Sequence, residues 1–307
     1  MIAVADHRHF GKAAKACFVT QPTLSQQIAK AEEDLGLPIF DREKKPVVPT
    51  PEGEAFIEQA RVILREHRRL KEIAKARSGE VSGPFRLAII PTVAATLVPH
   101  FIESFSRKYP KVDLSIEEPT TDDSLEALRE DRLDAAVMAT PLPAAGFLED
   151  PLYYEPFKLY LSKDHPLVAR KSVAKEDLDG AGLWLLRDGH CFKDQVVRYC
   201  SLGGEKSIFR NVHFQSGNLD TLRRLVRQGH GYTLIPAFMT AYMGEAEIKA
   251  HVRSFSGPEP ARQISLVSRR ANWKKNISLA LKECILKNLP EEMRTSPGKK
   301  LEVLEIC

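Results

Sequence analysis

Two cysteines nine residues apart, Cys191 and Cys200, are the side chains of this sequence best suited to do chemistry. Asp188 suits a helix N-cap and is followed by Gly189, His190 and Cys191, so a helix starting there would hold Cys191 at its third position. The positive end of a helix favours a thiolate, and Arg187, His190 and Lys193 add positive charge or donors nearby. A thiolate attacks peroxide to give a sulfenic acid, and a second thiol such as Cys200 can condense with that acid. Geometry sets a condition. If residues 191–200 form one helix, the two Cα atoms lie about 13.5 Å apart and the side chains point to opposite faces, whereas a disulfide needs about 7 Å or less. Such a bond would force the segment to unwind or move, and the resulting strain would help a reductant reset it. The plainer alternative is a pair of buried, inert thiols at a coincidental spacing, with His190 a solvated surface residue.

The other three cysteines offer less. Cys17 falls on the apolar face of an early helix and Cys284 in a later helical stretch, so both are expected in the core; Cys307 is expected to be an exposed thiol without a role. No CxxC pair occurs, and His7, His9 and His67 lack a ligand set, so neither a metal nor a cofactor is expected. A length of 307 residues suits two or three domains. With 43% hydrophobic and 28% charged residues, the chain has the profile of a folded protein rather than of disorder or a collagen-like array. No run approaches the roughly 18 apolar residues of a membrane span. Charge at Asp6 and Arg8 comes too early for a secretory signal, so a cytoplasmic location with no membrane partner is the default. The net charge of +4 does not by itself imply nucleic acid, although residues 1–78 carry 14 Lys and Arg against 11 Asp and Glu.

Helical periodicity dominates the first 78 residues. Phe10, Ala13, Ala14 and Cys17 share one face of a helix over 9–18; Pro22 suits the first position of the next, in which Leu24, Ile28, Ala31 and Leu35 recur before Gly36 stops it. A proline-punctuated stretch over 37–49 follows, and Thr50 is the expected N-cap of a long helix reaching about residue 77. Residues 78–84 are the best linker candidate. Beyond them, apolar runs at 85–90, 112–116, 135–138 and 232–236 alternate with helical stretches at 96–109, 124–132 and 219–228, which predicts an α/β sheet with mostly parallel strands. The tail after Pro290 is polar and expected to be loose.

Two helices joined by a turn, the second opening with Gln21, Pro22, Thr23, Ser25 and Gln26, suit the major groove of DNA, and Lys44 and Lys45 would lie on the backbone as a wing. A packed helical pair with a polar outer face is the competing reading. The wider pattern favours the first. Phe10-Gly11-Lys12-Ala13-Ala14-Lys15, Thr20-Gln21-Pro22-Thr23-Leu24-Ser25-Gln26-Gln27-Ile28, Glu32-Glu33-Asp34-Leu35-Gly36, Phe40-Asp41-Arg42 and Thr50-Pro51-Glu52-Gly53 follow one another in an order that resembles the LysR-type transcriptional regulators. The resemblance implies an all-α winged helix-turn-helix over 1–51, a linker helix over 52–80 that pairs two subunits, and an α/β effector domain over 81–307. That domain would have two lobes like those of periplasmic binding proteins, lobe I at about 81–158 and 262–290 and lobe II at about 159–261, with 291–307 as the tail. Members of the family carry most of a first helix before the point where this chain begins. Met1 is thus expected inside that helix, with Leu24 and Ile28 left exposed if the rest is lost.

A second set of segments is similar to peroxide-sensing members of the same family: Leu185-Leu186-Arg187-Asp188-Gly189-His190-Cys191-Phe192-Lys193-Asp194-Gln195 with Cys200, Thr221-Leu222-Arg223, the run from Gly229 to Pro236, and Ile90-Pro91-Thr92-Val93. Residues 201–213 depart from the pattern. The similarity implies that Cys191 is the peroxidatic and Cys200 the resolving thiol. It also implies a peroxide pocket containing Thr92, Thr121, His190, Asp194 and Arg262, with Thr120 a neighbouring candidate. The expected partners are double-stranded promoter DNA, a second copy of the chain in a dimer or tetramer, hydrogen peroxide, RNA polymerase and a glutaredoxin- or thioredoxin-type reductant. The function so implied is control of oxidative-stress genes by a reversible disulfide, without enzymatic turnover. The rivals are a LysR-type regulator answering to a small organic ligand, a thiol peroxidase and, more remotely, a solute-binding transport protein.

Overall fold

The computed structural model describes residues 1–76, 80–178, 180, 182–200, 214–270, 273–293 and 301–305. Its chain divides into two compact units, Met1–Ser78 and Gly79–Cys307.

The first unit opens with helices α1 (Ile2–His7), α2 (Phe10–Ala16) and α3 (Gln21–Leu35). Strands β1 (Phe40–Asp41) and β2 (Val48–Pro49) pair antiparallel as the wing, and the 26-residue helix α4 (Pro51–Ala76) follows. Val4, Ala13, Ala14, Leu24, Ile28, Ile39, Phe40 and Ile57 form its core. Leu24 and Ile28 are buried, with Val4 of α1 in the same cluster. Thr20 caps α3, its hydroxyl accepting from the Thr23 backbone at 3.4 Å, which places Gln21 first and Pro22 second in the helix, one position later than expected. Cys17 is exposed rather than core: α2 ends at Ala16, and Cys17 becomes its C-cap. Thr50 does cap α4, accepting from Gly53 N–H at 2.9 Å. Gly53 is required there, since a Cβ would stand 2.1 Å from the Ile39 carbonyl oxygen.

The second unit begins with β3 (Gly83–Ile89), α5 (Pro91–Lys108), β4 (Val112–Glu117), α6 (Thr121–Arg129) and β5 (Ala135–Thr140). The long strand β6 (Phe147–Leu161) and the short β7 (Ser172–Val173) lead to α7 (Cys191–Tyr199), α8 (Leu219–Arg227) and β8 (Tyr232–Pro236). After these come α9 (Glu245–His251), β9 (Val252–Phe255), β10 (Glu259–Arg269), α10 (Lys275–Asn288) and β11 (Leu301–Val303). The strands run in the order β4-β3-β5-β10-β6-β9-β7, with β11 on β10 and β8 on β6.

The sheet is mixed, not mostly parallel. Strand β3 pairs parallel with β4 and β5, but β10 runs antiparallel to β5 and β6, and β6 antiparallel to β8 and β9. The cause is the long pair β6–β10, which passes through both halves of the unit with a register shift between Ile264 and Ser265. One core gathers around β3, β5, α5 and α10, including Phe85, Leu87, Phe101, Val137 and Leu281. The other gathers around the second half of β6, including Phe157, Leu159, Trp184, Phe192, Leu222 and Leu234. Cys284 lies in the first core, as expected. The tail is not loose throughout: β11 pairs in parallel with β10 and Leu304 is buried, a contact to a distant strand that local polarity does not reveal. Cys307 and the divergent stretch 201–213 lie outside the described residues. Among those described, no helix is long and apolar enough to cross a membrane.

Candidate functional site

Cys191 is the first residue of α7 and Cys200 its C-cap, so the two thiols sit at opposite ends of one intact helix. The N-cap is His190, not Asp188, and Cys191 is at the first helical position rather than the third. Both cysteines are free and buried. They belong to different cores: Cys191 packs with the first, while Cys200, like its helix neighbour Phe192, packs with the second. The start of α7 therefore stands at the junction of the two lobes.

The surroundings of Cys191 contradict a simple activated thiolate. Burial pushes its pKa up; the Arg262 guanidinium, a hydrogen bond from the Thr121 hydroxyl and one from the Ala139 backbone N–H pull the other way, while Asp194 adds to the rise. Desolvation outweighs the Arg262 charge and these two hydrogen bonds. Cys200 is likewise pushed up by burial, to about 12, against the opposing charge of Lys175. Thr121 opens α6, and its N–H donates to the Gly189 carbonyl at 3.2 Å, tying that helix to the turn before Cys191. Thr120 is occupied as the α6 N-cap, accepting from Asp123 N–H at 3.3 Å.

Arg262, on β10, is fully buried. Its Nε and Nη2 donate to Glu155 Oε2 at 2.8 and 2.6 Å, Nη1 to the Thr92 hydroxyl at 2.8 Å, and Nη2 to the Thr92 carbonyl at 3.0 Å. The guanidinium carbon stands 5.1 Å from the centre of the Phe192 ring. Thr92 thus reaches the thiol's surroundings through Arg262. Glu155, on β6, is the partner that sequence reasoning missed. Burial raises its pKa and the Arg262 charge opposes that rise. His190 is buried; desolvation first and Arg187 second lower its pKa, favouring the neutral ring. Its Nε2 has no hydrogen-bond partner among the described residues. Gly217 makes room there, since a Cβ would stand 3.2 Å from that nitrogen. Asp194, in the first turn of α7, is exposed and carries a pKa raised by partial burial and by Asp122. The structure therefore brings Thr121 and Arg262 to Cys191 and Thr92 in behind Arg262, sets the buried His190 ring beside Arg187 and Gly217, and turns Asp194 outward.

A cavity of about 280 Å³ lies beside this cluster, its lining including Thr92, Glu118, Asp220, Arg223 and Tyr242.

In the first unit, Gln21, Pro22, Thr23 and Gln26 are exposed at the start of α3, Ser25 is half-buried, and Lys44 and Lys45 are exposed between β1 and β2. Glu32, also missed from sequence, fixes the wing to the helix: its Oε1 accepts from the Ile39 and Phe40 N–H groups at 2.9 and 3.0 Å, and its Oε2 from Arg42 at 2.7 Å. These side chains present a polar helix start and two lysines on one rigid head, an arrangement that reads DNA in helix-turn-helix proteins.

Residues 1–54 match the model for bacterial regulatory helix-turn-helix proteins of the lysR family, and residues 78–290 the LysR substrate binding domain; the chain belongs to the LysR family of regulators. Within it, the sequence is 39% identical over 269 residues to a hydrogen peroxide-inducible genes activator of Pectobacterium carotovorum, covering 88% of each chain. It is 38% identical to the DNA-binding transcriptional dual regulator OxyR of Escherichia coli, covering 88% of this chain and 87% of that one. Among solved structures, a full-length OxyR variant of Pseudomonas aeruginosa superposes with a TM-score of 0.73 at 33% identity, covering 94% of this chain and 96% of that one. A peroxide-bound OxyR variant of Corynebacterium glutamicum gives 0.62 at 30% identity, covering 94% and 89%.

Proposed function

We propose that this chain is a transcriptional regulator that senses hydrogen peroxide by forming a Cys191–Cys200 disulfide. The observation that carries the reading is the placement of the two thiols: Cys191 faces Thr121 and Arg262 at one end of an unbroken helix, and Cys200 closes the other. Peroxide enters beside Cys191 and is held by Thr121 and by the Arg262 guanidinium, which Thr92 and Glu155 fix in place. The Cys191 sulfur attacks one peroxide oxygen and the O–O bond breaks. The displaced oxygen leaves as water, taking the thiol proton, and Cys191 is oxidised to sulfenic acid. The Cys200 sulfur then attacks that sulfur, a second water leaves, and the disulfide remains. The helix holds the two Cα atoms about 13.5 Å apart, so the second step requires α7 to unwind. Gln21, Pro22, Thr23, Ser25, Gln26, Lys44 and Lys45 contact promoter DNA, and Ile63 and Leu70, exposed seven residues apart on α4, pack against a second copy. RNA polymerase and a glutaredoxin- or thioredoxin-type reductant complete the cycle, which is one oxidation per subunit rather than enzymatic turnover.

The test is titration of the reduced protein with peroxide, followed by peptide mass. A Cys191–Cys200 crosslink forms at low excess and disappears in Cys191→Ser; its absence from the parent protein rejects the sensor role. The cavity beside Thr92 supports one other reading, a regulator answering to a small organic ligand. An unaltered transcriptional response in Cys191→Ser, with calorimetric binding of an organic acid, would favour it.

A further inference from the structure

Gln195 sits midway along α7, fully buried, and neither the thiol chemistry nor the peroxide socket uses it. Its Nε2 donates to the Leu304 carbonyl at 2.9 Å. Leu304 belongs to a short segment that is held from the other side as well. Strand β11 pairs with Glu259–Ala261 of β10, and the Leu304 N–H donates to the Ala261 carbonyl at 2.8 Å, one residue before Arg262. The Leu304 side chain is buried in the same core as Cys200. Glu305 lies 4.0 Å from Arg198, and the Glu302 charge is felt by Tyr199, both on the last turn of α7. A single segment thus joins the strand that carries the buried arginine to the helix that carries both cysteines.

We infer that residues 301–305 are a strap on α7, and that Gln195 is the positioning residue through which the strap opposes unwinding and sets the rate of disulfide closure. The inference rests on the switch proposed above. Its physical basis is that α7 cannot unwind while the Gln195 amide stays on the Leu304 carbonyl. Releasing it leaves a buried acceptor unpaired until the strap itself moves. Leu304 packs in the core that holds Cys200 and not in the one that holds Cys191, so the strap governs the second chemical step and leaves the first alone.

Two variants test this, a chain ending at Lys300 and Gln195→Met, which keeps the side-chain volume but loses the donor. In stopped flow with peroxide, sulfenic acid formation measured in a Cys200→Ser background should be unchanged by either alteration. Disulfide closure should be faster in both, by roughly five- to tenfold, the equivalent of one buried hydrogen bond. General loosening of the fold would alter both steps together. In the reduced protein, without peroxide, maleimide labelling of Cys200 should quicken by a similar factor. Unchanged or slower closure together with unchanged labelling overturns the strap. If the parent protein forms no Cys191–Cys200 bond, the switch is what fails, and the labelling of Cys200 still decides whether 301–305 restrains α7.

Discussion

Replacing Glu155 by Gln separates the two tasks of the buried arginine. Both members of the Arg262–Glu155 pair are fully buried, with Nε–Oε2 and Nη2–Oε2 distances of 2.8 and 2.6 Å. Removing one charge from such a pair costs about 3–5 kcal/mol, because the other is left uncompensated. Gln retains an acceptor for the guanidinium, so the lower end, about 3 kcal/mol, applies. For a unit of this size that lowers Tm by about 6–12 °C. Arg262 should stay in place, since Thr92 still accepts twice from it and Phe192 still lies beneath it. Its charge, already the strongest influence lowering the Cys191 pKa, is then no longer balanced by a carboxylate. The thiol should become more reactive at pH 7 while the fold becomes less stable. Calorimetry and the initial rate of Cys191 oxidation by peroxide measure the two effects. A variant as stable as the parent, or one with unchanged near-UV circular dichroism whose thiol reacts more slowly, would refute the assigned role of the pair.

Two further outcomes follow from the same structure. Burial holds Cys200 near 12 against a usual 9.0, so the protonated thiol contributes stability that is complete below about pH 9 and is lost as pH rises toward 12. At pH 10 the loss amounts to about 1.4 kcal/mol, and urea melts of Cys200→Ser should show a shallower alkaline decline than the parent; identical declines would contradict it. Gly53→Ala places a methyl 2.1 Å from the Ile39 carbonyl oxygen, so the start of α4 must shift against the wing. Promoter binding by fluorescence anisotropy should weaken at least tenfold while the rate of Cys191 oxidation stays the same, and intact DNA affinity would show that the contact can relax.

How much of this could be read from the chain depends on how local each signal is. The helix-turn-helix was legible because its caps, its Gly36 stop and its apolar spacing all lie within a few residues of what they control. The two cysteines were legible for the same reason, since their spacing on a helix sets their separation. At Cys191 the local residues Asp188, His190 and Lys193 point to a lowered pKa, whereas the burial that raises it comes from a core built by segments distant in sequence. Glu155 was hidden in β6, where Pro151 and Pro156 make the segment read poorly as a strand. Its partner is 107 residues away. Strand β11 spans three residues, too few for any periodicity, and exists because β10 offers it an edge.

The separation of the two thiols into different cores has a consequence for how the switch can work. A disulfide between them must draw the start of α7 away from the first core or the end of α7 out of the second, and close-packed interiors do not deform by degrees. If Cys191 leaves, Thr121 and the Ala139 N–H lose the sulfur they donate to, and the face of Phe192 leaves the guanidinium of Arg262. Arg262 itself stays, held by Thr92 and Glu155 on elements that the helix does not include. On this reading the socket would persist after its thiol has gone, and reduction would return Cys191 to partners already in place. Two discrete packings, one favoured by the thiols and the other by the covalent bond, give an all-or-none change of the kind a regulator requires.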